Sequence, residues 1–175
     1  MRSVWLICDP LLDASPYQYI IDYVFGGFLL AATLPVPDLG LDNRKLPDLS
    51  DAETRQRLSP AAIEAFFAIA DRWHLKNDAA MALLGGVSHG RYYELKKNPK
   101  RGVLAQDEIT RISLLVGIFK SLNILFTETL ANDWVSRPNS NPMFGNTPPL
   151  VSMIQIGMPR MSDVRRLLDG RRGGR

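Results

Sequence analysis

The chain of 175 residues has one cysteine, Cys8, and two histidines, His74 and His89. A single thiol excludes an intrachain disulfide framework and a multi-cysteine zinc site. It fits a reducing, cytosolic setting, where thiols stay unpaired. Neither histidine stands at metal-ligand spacing from the other or from an acidic pair. No P-loop or GxGxxG occurs, and "GGVSHG" (85–90) lacks the preceding strand that a phosphate-cradling loop needs. No alternation of apolar and polar residues is long enough to predict a strand. Serines are scattered singly, and no nucleophile, base and orienting group come together. These absences argue against an enzyme: the sequence offers no catalytic residue, no metal ligand and no cofactor site.

What is present is a globular composition, 46% hydrophobic and 22% charged, in a chain long enough to bury a core unaided. The net charge of +3 is unevenly spread. Residues 1–58 carry five Lys/Arg against eight Asp/Glu, residues 59–159 carry ten against eight, and residues 160–175 carry six Arg against two Asp. A cationic end suits either an anionic partner or plain solvation. Segment 17–36, "YQYIIDYVFGGFLLAATLPV", is almost wholly apolar and reaches the length of a bilayer span. Asp22 lies inside it, Gly26 and Gly27 split it, and no basic cluster flanks it, which argues against the membrane. It reads instead as a helical hairpin or interface segment. "TLPVPDLGLDNRKLPDLS" (33–50) then reads as a linker, so that residues 1–57 form an N-terminal extension with linker 37–57.

From residue 59 the pattern is helical. Ser59 offers an N-cap and Pro60 a first-turn proline, and Ile63, Phe66, Phe67, Ala70 and Trp73 recur at helical spacing up to His74. Asn77 caps a short helix to Leu84 with Ala80, Met81 and Leu84 on its apolar face. Gly85 suits the left-handed close of that helix, Val87 anchors the turn, and Ser88 caps "HGRYYELKKN" before Pro99 stops it. Two helices about a glycine turn, the second Ser-capped and basic, have the layout of a helix-turn-helix. In that layout the second helix enters the major groove. Ser88, His89, Arg91 and Tyr92 stand at its N-terminal end, with Arg91 suited to guanine, while Lys96 and Lys97, with Lys100 and Arg101, suit phosphates. A packed helical hairpin with a solvated basic face is the alternative. Next comes a long helix from Asp107 or Gln106 to about Phe126, buried at Ile109, Ile112, Leu115, Val116, Phe119, Leu122 and Phe126. It is apolar on more than one side (Leu114, Ile118, Ile124), as a central helix or a dimer-forming one is. A helix over Glu128–Trp134 follows. Beyond the corner "RPNSNPMFGNTPPL" (137–150), Pro148 and Pro149 open a helix that Gly157 closes, and a last one from Pro159 ends at Gly170. The fold class is all-α, a small helical bundle.

The end of the chain carries a resemblance. "WVSRPNSNPMFGNTPPLVSMIQIGMPRMSDVRRLLDGRRGG" (134–174) resembles the toxin-binding domain of the MbcA/ParS/Xre antitoxins through its Trp, Pro-Asn, Phe, Pro-Leu-x-x-Met and Val-Arg-x-Leu-Leu-Asp elements. "WHLKNDAAMALLGGVSHGRYYELKK" with "RISLLVGIFKSLNILF" resembles the Xre-like helix-turn-helix of that family. Many relatives have Gly-Gly where this chain has Gly145-Asn146 and again near Ile156-Gly157; Asn tolerates left-handed geometry, and Ile156 would have to find a place to pack. The resemblance implies an Xre-like domain over 58–126 and a toxin-binding domain over 127–175. It implies an antitoxin of a type II toxin–antitoxin system whose partner is a RES-domain toxin that consumes or transfers from NAD, neutralised by occlusion of its active site. It also implies operator binding and a cytoplasmic protein, and a homodimer within the complex is expected because helix-turn-helix proteins commonly read paired half-sites. The toxin-binding set it implies is Pro138, Asn139, Phe144, Pro149, Leu150, Met153, Arg165, Arg166, Leu168, and the terminal Arg171, Arg172, Gly173, Gly174 and Arg175. A stand-alone helix-turn-helix regulator and a membrane-tethered interaction protein are the other readings.

Overall fold

The computed structural model describes residues 47–173. Segment 17–36, Cys8, most of the linker, and Gly174 and Arg175 lie outside the described residues. Within them the fold is all-α: α1 (Ala52–Arg72), α2 (Asn77–Leu83), α3 (His89–Lys97), α4 (Gln106–Leu125), α5 (Glu128–Asp133), a 3-10 turn (Trp134–Ser136), α6 (Pro149–Ile156) and α7 (Met158–Gly173). None of these helices is long and apolar enough to cross a membrane.

The first helix starts earlier than its sequence suggests. Asp51 is the N-cap, its carboxylate accepting the Thr54 N–H at 2.7 Å, and Glu53 adds a favourable charge in the first turn. Ser59 is not a cap. It lies fully buried in the third turn, where its hydroxyl donates to the Arg55 carbonyl and accepts the Leu104 N–H at 2.8 Å. Pro60 is therefore inside the helix and costs it the N–H that would go to Gln56. This helix runs without a break across residues 57 and 58.

Central helix α4 is covered on two sides, by α1 and, most extensively, by α7. That accounts for its many apolar faces: Ile112, Leu115, Ile118 and Leu122 are all essentially inaccessible. Ile118, expected on a surplus face, is core, whereas Ile124 near the end is half exposed. Gly117 makes the close approach of α7 possible. A Cβ there would lie 1.4 Å from Nη1 of Arg165, which lies across the α4 backbone. Asp169 completes the seam, accepting from Ser121 of α4 at 3.0 Å and from Nε of Arg165, with Arg172 3.6 Å away. Met161, Val164 and Leu168 fill the space beneath. Helix α7 continues past Gly170 to Gly173, because a glycine with no turn to make costs a helix only about 1 kcal/mol.

Candidate functional site

Two surfaces are built around α4. The first is formed by α2, the turn after it, and α3. Lys76 rather than Asn77 is the α2 N-cap residue, and no side chain caps it. The helix ends in a Schellman pattern: the Gly86 N–H donates to the Met81 carbonyl at 2.9 Å and the Gly85 N–H to Ala82 at 3.0 Å. Both glycines have positive φ, +104° and +79°, a region that costs any other residue. Val87 is only half buried. Ser88 caps α3, accepting the Arg91 N–H at 3.3 Å.

The turn sets the rotation of α3 about its axis. Tyr92 and Leu95 point into the core, and Tyr92 meets Phe67 edge-on at 5.3 Å. Burial pushes the Tyr92 phenol up, with Tyr93 and Asp71 adding to the shift. At 2% exposure, Tyr92 is core rather than surface. Arg91 is about half exposed, at 40% of its side chain, but engaged. Its Nε and Nη2 hold the Glu108 carboxylate at 2.9 and 2.6 Å, and Nη2 also reaches the Val103 carbonyl. Glu108 is 5% exposed and accepts the Ala105 N–H at 2.7 Å, which serves the first turn of α4. Burial alone would raise this carboxyl, but the Arg91 hydrogen bonds, the Ala105 N–H and the Arg91 charge together hold it below the usual carboxylate range. Arg91 is thus a clamp between α3 and α4 and is turned away from the open face.

That open face carries Ser88, His89, Tyr93, Lys96 and Lys97, with Lys100 and Arg101 following. Positions 89, 93, 96 and 97 share one side of a helix. His89 and Tyr93 lie 6.3 Å apart, Tyr93 bonds Asn77 at 3.0 Å, and the Lys96 ammonium sits 5.7 Å over the Phe67 ring. Tyr93 is absent from the sequence-based set. The signal was available, since Tyr92 shares a face with Leu95 at i+3 and the next residue must then point outward.

The second surface is the corner and the two helices after it. Trp134 and Phe144 meet edge-on at 5.9 Å and both are buried. Asn139 and Asn141 each accept a backbone N–H two residues on, and the Phe144 carbonyl accepts from Thr147 twice. Asn146 takes φ +63°, a left-handed geometry that asparagine tolerates. Pro149 opens α6 at its first position, and Gly157 at φ +78° closes it. Of the residues assigned to partner contact, Phe144, Met153 and Leu168 are core at 4%, 0% and 0% exposure, and Pro149 is buried too. They shape the module from within. Arg165 is turned onto Gly117, and only 16% of the Arg172 side chain is exposed, beside Asp169. Pro138, Arg166 and Arg171 are exposed, while Asn139 and Leu150 are half buried. Ile156 finds no place to pack: it is 49% exposed, and Val151 is a second exposed apolar side chain on α6 that the sequence reading did not include. Among the described residues no His, Cys, Asp and Glu cluster could hold a metal ion.

No protein-family model matches the chain, and no solved structure matches it. It is 41% identical over 116 residues to "Uncharacterized protein y4oB" of Sinorhizobium fredii (strain NBRC 101917 / NGR234), a match covering 66% of this chain and 87% of that protein. The chain belongs to the same family as y4oB.

Proposed function

We propose that the protein is an antitoxin-like adaptor, with a protein-binding surface on α6–α7 and a DNA-binding surface on α2–α3. Its protein partner would be a RES-domain toxin whose NAD chemistry it blocks by occupying the active site. The complex would repress its own operon as a homodimer in the cytoplasm. The observation that carries the reading is the outer face of the C-terminal module. An internally hydrogen-bonded corner presents α6 and the longer α7, whose exposed side chains are apolar on the first (Val151, Ile156) and cationic on the second (Arg166, Arg171). A cleft that receives an anionic dinucleotide attracts guanidinium groups. With Arg165 turned onto Gly117 of α4 and Arg172 held beside Asp169, the reading rests on these four residues, the exposed Pro138 and residues 173–175.

The test is co-expression with a RES-domain protein encoded beside this gene. The full-length chain should co-purify with it and suppress its NAD consumption. Deleting residues 171–175 should weaken suppression while leaving DNA binding largely intact. A neighbour that neither co-purifies nor is inhibited sinks the antitoxin reading. A stand-alone helix-turn-helix regulator would then remain, supported by the lysine-bearing face of α3.

A further inference from the structure

Tyr93 is held in an unusual way for an exposed side chain. Its ring stands edge-on to Tyr92 at 5.4 Å, and its hydroxyl oxygen accepts from Nδ2 of Asn77 at 3.0 Å. The other end of the same amide, Oδ1, accepts the Tyr92 hydroxyl at 3.3 Å. Tyr92 lies in the core, so the amide is oriented from inside the protein. With its oxygen engaged as an acceptor, the Tyr93 hydroxyl still has its proton to give. That proton faces away from Asn77, on a side chain 49% exposed among cationic neighbours. The lysines on this face are point charges on flexible stems, and the helix's one arginine is clamped by Glu108. Tyr93 is therefore a rigid, directional donor on the open face of α3, tied to the core through Asn77.

We propose that Tyr93 is a specificity-determining residue for duplex DNA, donating its hydroxyl proton to an acceptor on a base edge in the major groove. Asn77 and Tyr92 are its positioning residues, and His89 stands beside it. Lys96 and Lys97 hold the phosphates. Acceptors of the required kind are N7 and O6 of guanine, N7 of adenine and O4 of thymine. The inference rests on the DNA-binding half of the proposed function and replaces Arg91 as the expected reader.

The experiment selects duplexes from a random-sequence library with the full-length chain and compares variants by gel shift. The native chain should enrich a sequence preference. Tyr93→Phe, which keeps the ring, should retain affinity for random duplex but lose preference at one base pair by about three- to tenfold, the worth of one hydrogen bond. Asn77→Ala should blunt the same position less, since it frees the hydroxyl without removing it. Lys96→Glu with Lys97→Glu should abolish binding to every sequence and so report on the phosphate contacts alone. A native chain that binds no duplex overturns the DNA-binding half of the proposed function, and this inference with it. A native chain that selects a sequence which Tyr93→Phe selects equally well overturns this inference only.

Discussion

Replacing Gly117 with alanine should destabilise the protein, although alanine is the better helix former by about 1 kcal/mol. The new Cβ would lie 1.4 Å from Nη1, 2.5 Å from Cζ and 3.1 Å from Cδ of Arg165. No small adjustment relieves three contacts along one side chain, so the guanidinium must leave the α4 surface. That breaks its bond to Asp169, where the two side chains are 19% and 35% exposed. A hydrogen bond to a charged partner contributes about 1.5–3 kcal/mol, reduced here by partial exposure, and overpacking adds about 1–3 kcal/mol. Against the helix gain, the net loss is about 1–3 kcal/mol. In an Arg165→Ala background the obstacle is gone, and the same Gly117→Ala change should stabilise by up to about 1 kcal/mol. Urea unfolding of the four proteins in this double-mutant cycle measures the reversal. A Gly117→Ala variant as stable as the native chain, or one equally damaging with and without Arg165, would refute the account of the α4–α7 seam.

Ser59→Ala should cost about 1–3 kcal/mol, because it leaves the Leu104 N–H without its acceptor in the core. Thermal or urea unfolding checks this, and a neutral result would mean the hydroxyl is dispensable. The Glu108 carboxyl is held below its ordinary value in the folded protein. Its stabilising contribution is therefore complete above the unfolded-state pKa, about 4.3, and disappears as pH falls through the lower folded value. Plotted against pH between roughly 3 and 7, the denaturant midpoint of Glu108→Gln should fall less steeply on the acid side than that of the native chain. Parallel acid limbs would contradict the assignment.

The all-α class and the buried stripes were legible because helical spacing is a local property, and Ile63, Phe66, Ile112, Leu115 and Leu122 declare it. So was the glycine turn after α2, where two consecutive glycines have few other uses. Cues that compete were harder. Ser59-Pro60 satisfies every local criterion for a helix start, and so does Asp51 followed by Glu53. What decides is the Leu104 N–H, 45 residues away, which claims the Ser59 hydroxyl. The Arg91–Glu108 clamp was hidden for the same kind of reason: nothing near Arg91 in sequence says that Glu108 will take it. Tyr92 and Tyr93 differ by one step of helical rotation, and the phase follows only once Leu95 is known to face inward. The motif residues Phe144, Met153 and Leu168 contribute shape from beneath the surface. Ile156 shows the converse, an apolar side chain whose exposure no periodicity foretold.

Glu108 and Ser121 lie on the same unbroken helix, and each anchors a different part of the molecule. Through Glu108 the helix fixes α3, and through Gly117 and Ser121 it fixes α7. At a rise of about 1.5 Å per residue the two anchor points are roughly 20 Å apart along the axis. Helix α4 is thus a ruler as well as a core element. Anything that gripped α7 would be held at a set distance from whatever touched α3. Lengthening or shortening the helix by one residue would turn one surface by about 100° relative to the other, so the ruler sets direction as well as distance.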